Sequence, residues 1–269
     1  MNSVPAAPTR APTDTLTRVV AGFLVLILVD AAQLLLFYPG RTDTLWAWKL
    51  EPELTAMALG SVYLAGAYFF GRVLFGAPWQ RVAAGFPAII VFVWLAALAT
   101  VLHDDRFVKD SLPFAAWAAL YTVTPIGVPL LYVYNWRRAG GPEGPVMPSG
   151  LRTALGVAGG ALVVVALVIF VAPDLAIDNW GWPLTPLTAR IMSAVIALYG
   201  GLWLSLAADG TWGGARIPLQ AHALGLAFLL LAVVRGEDVV DWGNALAVVF
   251  VAVAGVMFVV SAALSRAGP

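Results

Sequence analysis

One acidic residue of this chain lies inside a long apolar segment. Asp30 follows the run Leu24–Val29 and precedes two alanines. An ionised carboxylate in the hydrocarbon region of a bilayer costs about 2.5–3.5 kcal/mol, so such residues mostly face a protein interior, a partner or water. Asp30 is therefore a predicted proton- or ion-binding group. The structural alternative is a protonated Asp30 that hydrogen-bonds to Gln33, one turn on, or to a neighbouring helix.

A second group of polar residues lies at the same predicted depth in the fourth apolar segment. Three hydroxyl residues precede Pro125, and Pro129 follows four residues later. Proline removes a helix hydrogen bond, and carbonyls freed inside a membrane must be satisfied by side chains, water or a bound cation. Interrupted helices at mid-depth form many transporter sites. The sequence thus predicts a midplane substrate or ion site, with a kink that binds no ligand as the alternative. The residues of this predicted site are Asp30, Gln33, Tyr121, Thr122, Thr124 and Pro125.

The remaining reactive residue types form no catalytic or metal-binding pattern. The chain has two histidines and no cysteine, which excludes disulfides, thiolate metal sites and thiol nucleophiles. His222 and His103 fall on opposite sides of the predicted membrane, so a buried, hydrogen-bonded His222 is the simpler interpretation. The common nucleotide-binding, serine hydrolase and zinc protease motifs do not occur. We therefore predict no cofactor and no metal, and the sequence favours a protein that is not an enzyme without excluding one.

Composition indicates an integral membrane protein. Of 269 residues, 61% are hydrophobic and 11% are charged, whereas soluble domains are roughly half apolar and about a quarter charged. The formal net charge is zero, so no basic surface for nucleic acid is expected. Segments of about 20 apolar residues cross a bilayer as helices. We predict an all-α polytopic membrane protein in contact with lipids, with eight spans near residues 19–38, 53–71, 82–102, 113–135, 152–172, 186–207, 217–235 and 243–264.

A tryptophan motif occurs twice and indicates an internal duplication. The pattern W-x-W-x-L-x-P begins at Trp46 and again at Trp180, 134 residues later. A half-length period predicts two similar halves, and four helices in each half give both repeats the same membrane orientation. The predicted organisation is a disordered tail at 1–17, repeats at 18–138 and 151–269, and a cytoplasmic linker at 139–150. The predicted interfacial motif comprises Trp46, Trp48, Pro52, Trp180, Trp182 and Pro186.

The distribution of basic residues predicts an orientation. If the N-terminus is cytoplasmic, nine arginines fall on the cytoplasmic side and six basic residues on the other side. The positive-inside rule then favours both termini in the cytoplasm.

Two stretches resemble an actinobacterial-type family of eight-span bacterial membrane proteins. The resemblance rests on Trp180–Arg190, and on Leu102–Phe107 followed by Trp117 and Tyr121. It implies a multi-span membrane fold over most of the chain, located in the inner membrane of a bacterium. That family carries no assigned activity, so the resemblance implies no function.

Two classes of function follow from these patterns. The first is a permease or ion-coupled carrier that binds a small molecule or an ion at the midplane site, and it predicts a polar cavity between the halves. The alternative is a non-transporting membrane sensor, scaffold or assembly partner, which predicts a sealed, apolar interior. The cost of placing Asp30 in a membrane favours the carrier.

Overall fold

The computed structural model describes residues 13–139 and 141–268, and this part of the chain is α-helical without strands. Eight of its helices are long and apolar enough to cross a membrane, which confirms the predicted all-α polytopic fold. The helices are α1 Thr15–Phe37, α2 Thr42–Leu45, α3 Glu53–Leu74, α4 Phe86–Leu102, α5 Leu112–Ala139, α6 Ser149–Val171, α7 Asp174–Ile177, α8 Pro186–Asp209, α9 Trp212–Arg235 and α10 Ala245–Leu264.

Capping residues set the ends of several helices. α1 begins four residues before the predicted span because the Asp14 carboxylate accepts a hydrogen bond from the Thr17 amide at 2.9 Å. α8 begins at Pro186, as the sequence predicts, and the hydroxyls of Thr185 and Thr188 form a capping box there. Residues 13–17 are thus ordered here, and the rest of the predicted N-terminal tail lies outside the described residues.

Four helices form the centre of the bundle and four lie outside them. α4 packs against α8, and α3 packs against α9. Outside this centre, α1 packs on α3, α5 on α4, α6 on α8 and α10 on α9. The outer helices expose large apolar side chains such as Phe23, Val164 and Val256. These faces suit the hydrocarbon of a bilayer, where the surrounding solvent is itself apolar.

Helix α5 is continuous through both of its prolines. Pro125 and Pro129 lie inside its 28 residues, so the expected interruption at this point does not form. The Thr124 hydroxyl donates to the Leu120 carbonyl at 2.7 Å, a bond within the same turn that supports the helix before Pro125. Neither proline has an N–H, so the carbonyls of Tyr121 and Pro125 receive no helix hydrogen bond from them.

The two tryptophan segments are held in place by equivalent backbone hydrogen bonds. The Val108 amide donates to the Ala47 carbonyl at 3.0 Å, and the Asp241 amide donates to the Gly181 carbonyl at 2.7 Å. In each case the acceptor is the residue between the two tryptophans, and the donor lies in the loop before the last helix of that half. Both motifs are thereby fixed against α5 and α10 respectively.

The segment between α5 and α6 is tied to the turn between α8 and α9. The Met147 amide donates to the Gly210 carbonyl at 2.7 Å, and the Trp212 amide donates to the Pro145 carbonyl at 3.0 Å. The predicted linker at 139–150 corresponds to this segment, although α5 and α6 each extend into its ends.

Candidate functional site

A cavity of about 120 Å³ lies inside the bundle. Helices α1, α3, α4, α5, α8 and α9 all contribute to its wall, which is mainly apolar. Five lining residues carry hydrogen-bonding groups in their side chains: Tyr63, Tyr121, Thr124, Tyr199 and His222. We call it the central cavity.

The hydroxyl groups of two of the tyrosines are hydrogen-bonded to each other. The hydroxyls of Tyr63 on α3 and Tyr121 on α5 lie 3.0 Å apart, within hydrogen-bond distance. Both side chains are buried, and the Tyr121 ring stacks on Trp117 with 4.2 Å between ring centres. Because a buried hydroxyl without a partner is costly, this pair stabilises the contact between α3 and α5.

Only one of the two ring nitrogens of His222 has a hydrogen-bond partner among the described residues. The residue is 2% exposed, and its Nδ1 lies 2.9 Å from the Ser261 hydroxyl on α10. Its Nε2 is buried with no hydrogen-bond partner among the described residues. Leaving such a group unpaired costs about 1–3 kcal/mol. The expectation of a hydrogen-bonded His222 therefore holds for one ring nitrogen and not for the other.

The position of His222 suits a site within the membrane. It is the eleventh residue of α9, about 15 Å along the helix at 1.5 Å per residue, and thus near mid-depth. The Tyr199 ring lies against the imidazole, with ring centres 4.6 Å apart. An imidazole nitrogen without a hydrogen-bond partner therefore lies buried behind the apolar wall of the cavity, beside an aromatic ring.

The structure brings together only part of the predicted midplane site. Tyr121 and Thr124 line the central cavity, whereas Thr122 is exposed on the outer side of α5. Pro125 is buried but does not line the cavity. Each residue turns a helix by about 100°, so Thr122 and Thr124, two positions apart, point to nearly opposite sides of α5.

Asp30 and Gln33 lie away from the cavity. Both are exposed on α1, because α1 packs on α3 through a different stripe. That stripe has the 3–4 spacing of one helical face, and its members are Leu24, Leu28, Ala31 and Leu35. The expected grouping of Asp30 with the polar residues of α5 is therefore not formed in this structure.

Tyr199 and Ser261 are site residues that the sequence analysis missed. Ser261 is the single polar residue of α10, which is the signal that could have identified it, whereas Tyr199 is one of several polar residues in α8. Nothing in the sequence pairs Ser261 with His222, since 39 residues separate them.

The tryptophans of the repeated motif pack into the protein. Trp48 and Trp182 are each 3% exposed, and the two rings of each motif lie 6.0 and 5.3 Å apart. The first pair packs on Trp117 of α5, and the second on Phe250 of α10. Their Pro residues differ, since Pro186 starts α8 whereas Pro52 precedes α3. Interfacial depth alone therefore does not account for these indoles, because two of the four are enclosed.

A polar contact joins the two halves beside the end of α4. Arg190 donates to His103 Nε2 across 2.6 Å, and its Nε donates to the Phe170 carbonyl at 3.0 Å. Partial burial, and then the positive charge of Arg190, lower the pKa of His103 below its usual value. His103 thus acts as a neutral acceptor here.

No group of three or more potential metal ligands occurs within residues 13–139 and 141–268. No protein family model matches the chain, and no curated protein or solved structure is significantly similar to it. The eight long apolar helices are those of an integral membrane protein.

Proposed function

We propose that this protein is a permease and that its substrate binds in the central cavity at His222. One observation carries the proposal: a buried nitrogen near mid-depth, on a residue that lines the cavity, has no partner in the described chain. A substrate group that bonds to Nε2 removes the cost of leaving it unpaired.

The lining of the central cavity favours an uncharged substrate. No acidic side chain lines it, and His222 is its one basic residue. An ion would lose its hydration there without meeting an opposite charge. The volume of about 120 Å³ is slightly below that of an engineered apolar cavity of about 150 Å³ that binds benzene. The substrate is therefore a molecule whose bound part is of ring size, mostly apolar, with one hydrogen-bonding group.

Polar contacts between α3 and its neighbours lie on both sides of the cavity. Towards the end of α3, the Tyr68 hydroxyl donates to Gln220 Oε1 of α9 at 2.7 Å, and Arg72 donates to both groups. Near the start of α3, Trp182 Nε1 donates to the Thr55 hydroxyl at 3.0 Å. Separation of one set at a time would open the cavity to one side of the membrane, as alternating access requires.

The proposal includes a bacterial inner membrane, cytoplasmic termini and two parallel repeats. The basic residues support the orientation. The helix contacts support the repeats, because each large contact has a counterpart in the other half. The pair α1–α3 corresponds to α6–α8, α4–α5 corresponds to α9–α10, and α4–α8 corresponds to α3–α9.

The absence of cysteine from the chain allows a direct test by single-cysteine labelling. Thr124→Cys places a thiol on the cavity wall, and Thr122→Cys places one on the lipid-facing side of the same helix. Each variant is reconstituted in oriented vesicles and treated with a membrane-impermeant thiol reagent from one side at a time. Asp178→Cys and Thr153→Cys are the positive controls, since they lie at exposed positions on opposite ends of the bundle. Each shows whether the reagent has reached its side of the membrane.

A permease predicts that Thr124→Cys reacts from both sides while Thr122→Cys reacts from neither. A thiol at position 124 that reacts from one side alone contradicts transport and indicates a binding protein. Complete protection from both sides would show a sealed interior, and the permease proposal would then fail.

The non-transporting sensor is the second candidate, and the small volume of the cavity favours it. A sensor needs to bind its ligand but not to open to both sides. Labelling of Thr124→Cys from one side only would support this second function if a small phenol suppresses the labelling. The additional change His222→Leu should then restore labelling in the presence of the phenol.

A further inference from the structure

A second, larger cavity lies in the other half of the molecule. It has a volume of about 270 Å³ and is enclosed mainly by α6, α8, α9 and α10, with Ala58 of α3, the short helix α7 and the segment that carries Trp180 completing its wall. Its wall is almost wholly apolar, and Trp180, Phe250 and Ala254 are among the lining residues. We call it the lateral cavity.

In the first half, aromatic side chains fill the space beneath the corresponding tryptophan. The ring centre of Trp46 lies 5.8 Å from those of both Tyr63 and Trp117. Tyr121 continues this cluster, since its ring lies 4.2 Å from that of Trp117. Aromatic rings thus lie directly beneath Trp46, and the central cavity begins on the far side of Tyr63 and Tyr121.

The corresponding positions in the second half carry smaller side chains. The tryptophan motifs are 134 residues apart, and Trp79 and Trp212, which precede the next helix of each half, are 133 apart. At these offsets Phe250 corresponds to Trp117 and Ala254 to Tyr121, and both Phe250 and Ala254 line the lateral cavity. Replacing large side chains by small ones leaves a void when the surroundings do not collapse. The lateral cavity is therefore built by residue choice.

The lateral cavity opens sideways from the bundle. Several lining residues are themselves substantially exposed, including Val165 of α6 at 49% and Val249 of α10 at 52%. α6 and α10 flank this opening and are not among the closely packed helix pairs. A cavity whose rim is exposed and apolar faces the hydrocarbon of the membrane.

An unpaired donor lies at the end of the cavity near the tryptophan motif. Trp180 Nε1 is buried and has no hydrogen-bond partner among the described residues, although Trp180 lines the cavity. Tryptophan characteristically lies at the depth where the polar and apolar parts of lipids meet. The ester carbonyl of a phospholipid is an acceptor at that depth, and its acyl chain extends towards the membrane centre.

We propose that the lateral cavity binds one acyl chain of a membrane phospholipid, which enters between α6 and α10. The chain restores the dispersion contacts that an empty apolar cavity lacks, and its ester carbonyl accepts a hydrogen bond from Trp180 Nε1. This site is separate from the proposed permease function and does not depend on it.

Photo-crosslinking in a defined bilayer tests this site. The full chain is reconstituted in vesicles of phosphatidylethanolamine and phosphatidylglycerol that contain a phospholipid with a diazirine in one acyl chain. Labelled residues are mapped by mass spectrometry. We expect labels on residues that line the cavity from inside, such as Leu226 and Met257, besides those on lipid-facing Val256 and Val259.

Variants that fill the cavity provide the control. Ala254→Phe should reduce labelling of Leu226 and Met257 severalfold and leave Val256 and Val259 unchanged. Ala252→Phe, at an exposed position of the same helix, should change neither. Ala254→Leu serves in the same way if the larger side chain prevents folding. Trp180→Phe should weaken labelling by the ester lipid and leave labelling by an ether-linked analogue unchanged.

Two results would overturn the proposal. One is labelling confined to lipid-facing residues in the wild-type protein. The other is labelling of Leu226 and Met257 that persists in both filled variants, which would show that the acyl chain reaches them by another route. Neither result bears on cysteine labelling at position 124, so the two proposals fail independently.

Discussion

Two tryptophans at equivalent positions differ in one hydrogen bond. Trp182 donates to the Thr55 hydroxyl of the other half at 3.0 Å, whereas Trp48 Nε1 is buried without a partner. The residue that corresponds to Thr55 at the motif offset is Ala189, which offers no side-chain acceptor. A single hydroxyl therefore accounts for the difference, and only the second motif makes this hydrogen bond to the other half.

This difference predicts unequal effects of the same substitution. Trp182→Phe removes the bond and leaves the Thr55 hydroxyl buried and unpaired, at a cost of about 1–3 kcal/mol. Trp48→Phe loses similar packing but also removes an unpaired N–H. Unfolding of the purified variants in mild detergent should show the larger loss of stability for Trp182→Phe. Equal losses would mean that packing alone determines the stability of both sites.

The contact between His103 and Arg190 predicts a dependence of stability on pH. Burial and the Arg190 charge lower the pKa of His103, and Arg106 adds to this effect while Asp105 opposes it. The unfolded chain therefore binds a proton more readily, with a usual histidine pKa of about 6.5. His103 therefore contributes to the stability of the folded protein above about pH 6.5, and this contribution is lost as the pH falls below that value.

Thermal unfolding between neutral and mildly acidic pH measures this effect. We expect the unfolding midpoint of the wild-type protein to fall on acidification. His103→Gln, which keeps a hydrogen-bonding side chain but does not titrate, should show a smaller fall. The same decrease in both proteins would assign the pH dependence to other groups.

At the scale of helices, α6 and α8 touch through glycine. A methyl group added to Gly159 would lie 2.6 Å from the Gly200 carbonyl oxygen, and one added to Gly200 would lie 2.7 Å from the Gly159 carbonyl oxygen. Small residues allow this close approach, which is typical of helix pairs in membranes. The contact determines how closely α6 covers the centre of the bundle.

Gly159→Ala should therefore separate these helices and cost about 1–3 kcal/mol. Gly160→Ala is the matched control, because an added methyl group there meets its nearest side-chain atom at 3.9 Å and alanine favours a helix. Unfolding in detergent should show a lower midpoint for Gly159→Ala only. A similar decrease for both variants would show that the close contact between Gly159 and Gly200 is not the cause.

At the scale of the whole molecule, the two halves meet through α3, α4, α8 and α9. Polar contacts cross this interface near both ends of α3: Trp182 reaches Thr55, and Gln220 of α9 meets Tyr68. The outer helices of each half contribute mainly lipid-facing surface. The central four helices are therefore the part of the molecule in which a substrate site can be enclosed.

The number and direction of the long helices predict where the termini lie. Eight spans place both ends of the chain on one side, and the basic residues favour the cytoplasm. Green fluorescent protein fused after residue 269 should fluoresce, and alkaline phosphatase fused there should be inactive. The same reporters fused at Asp178, in the loop between α6 and α8, should give the opposite pair of results. Reversed activities would place the termini outside.

The sequence by itself determined the class of this protein and the approximate extent of its helices. Runs of about 20 apolar residues have one stable solution in a bilayer, because every backbone group must be bonded within the segment. The start of α8 at Pro186 was also predictable, since proline in a first turn and a threonine cap act locally. Residue-level depth, such as that of Tyr121 and Thr124, followed from counting along a helix.

Only the tertiary structure decided which side chains meet. Asp30 and Tyr121 are both polar residues within apolar spans, yet the first faces away from the bundle and the second lines the central cavity. Likewise, Ser261 bonds to one nitrogen of His222 and leaves the other free. The physical reason is that depth depends on one helix alone, whereas facing depends on the rotation and packing of several helices at once. A nearly uniform apolar sequence therefore specifies the depth of each residue in the membrane. Side-chain packing decides which residues face the interior.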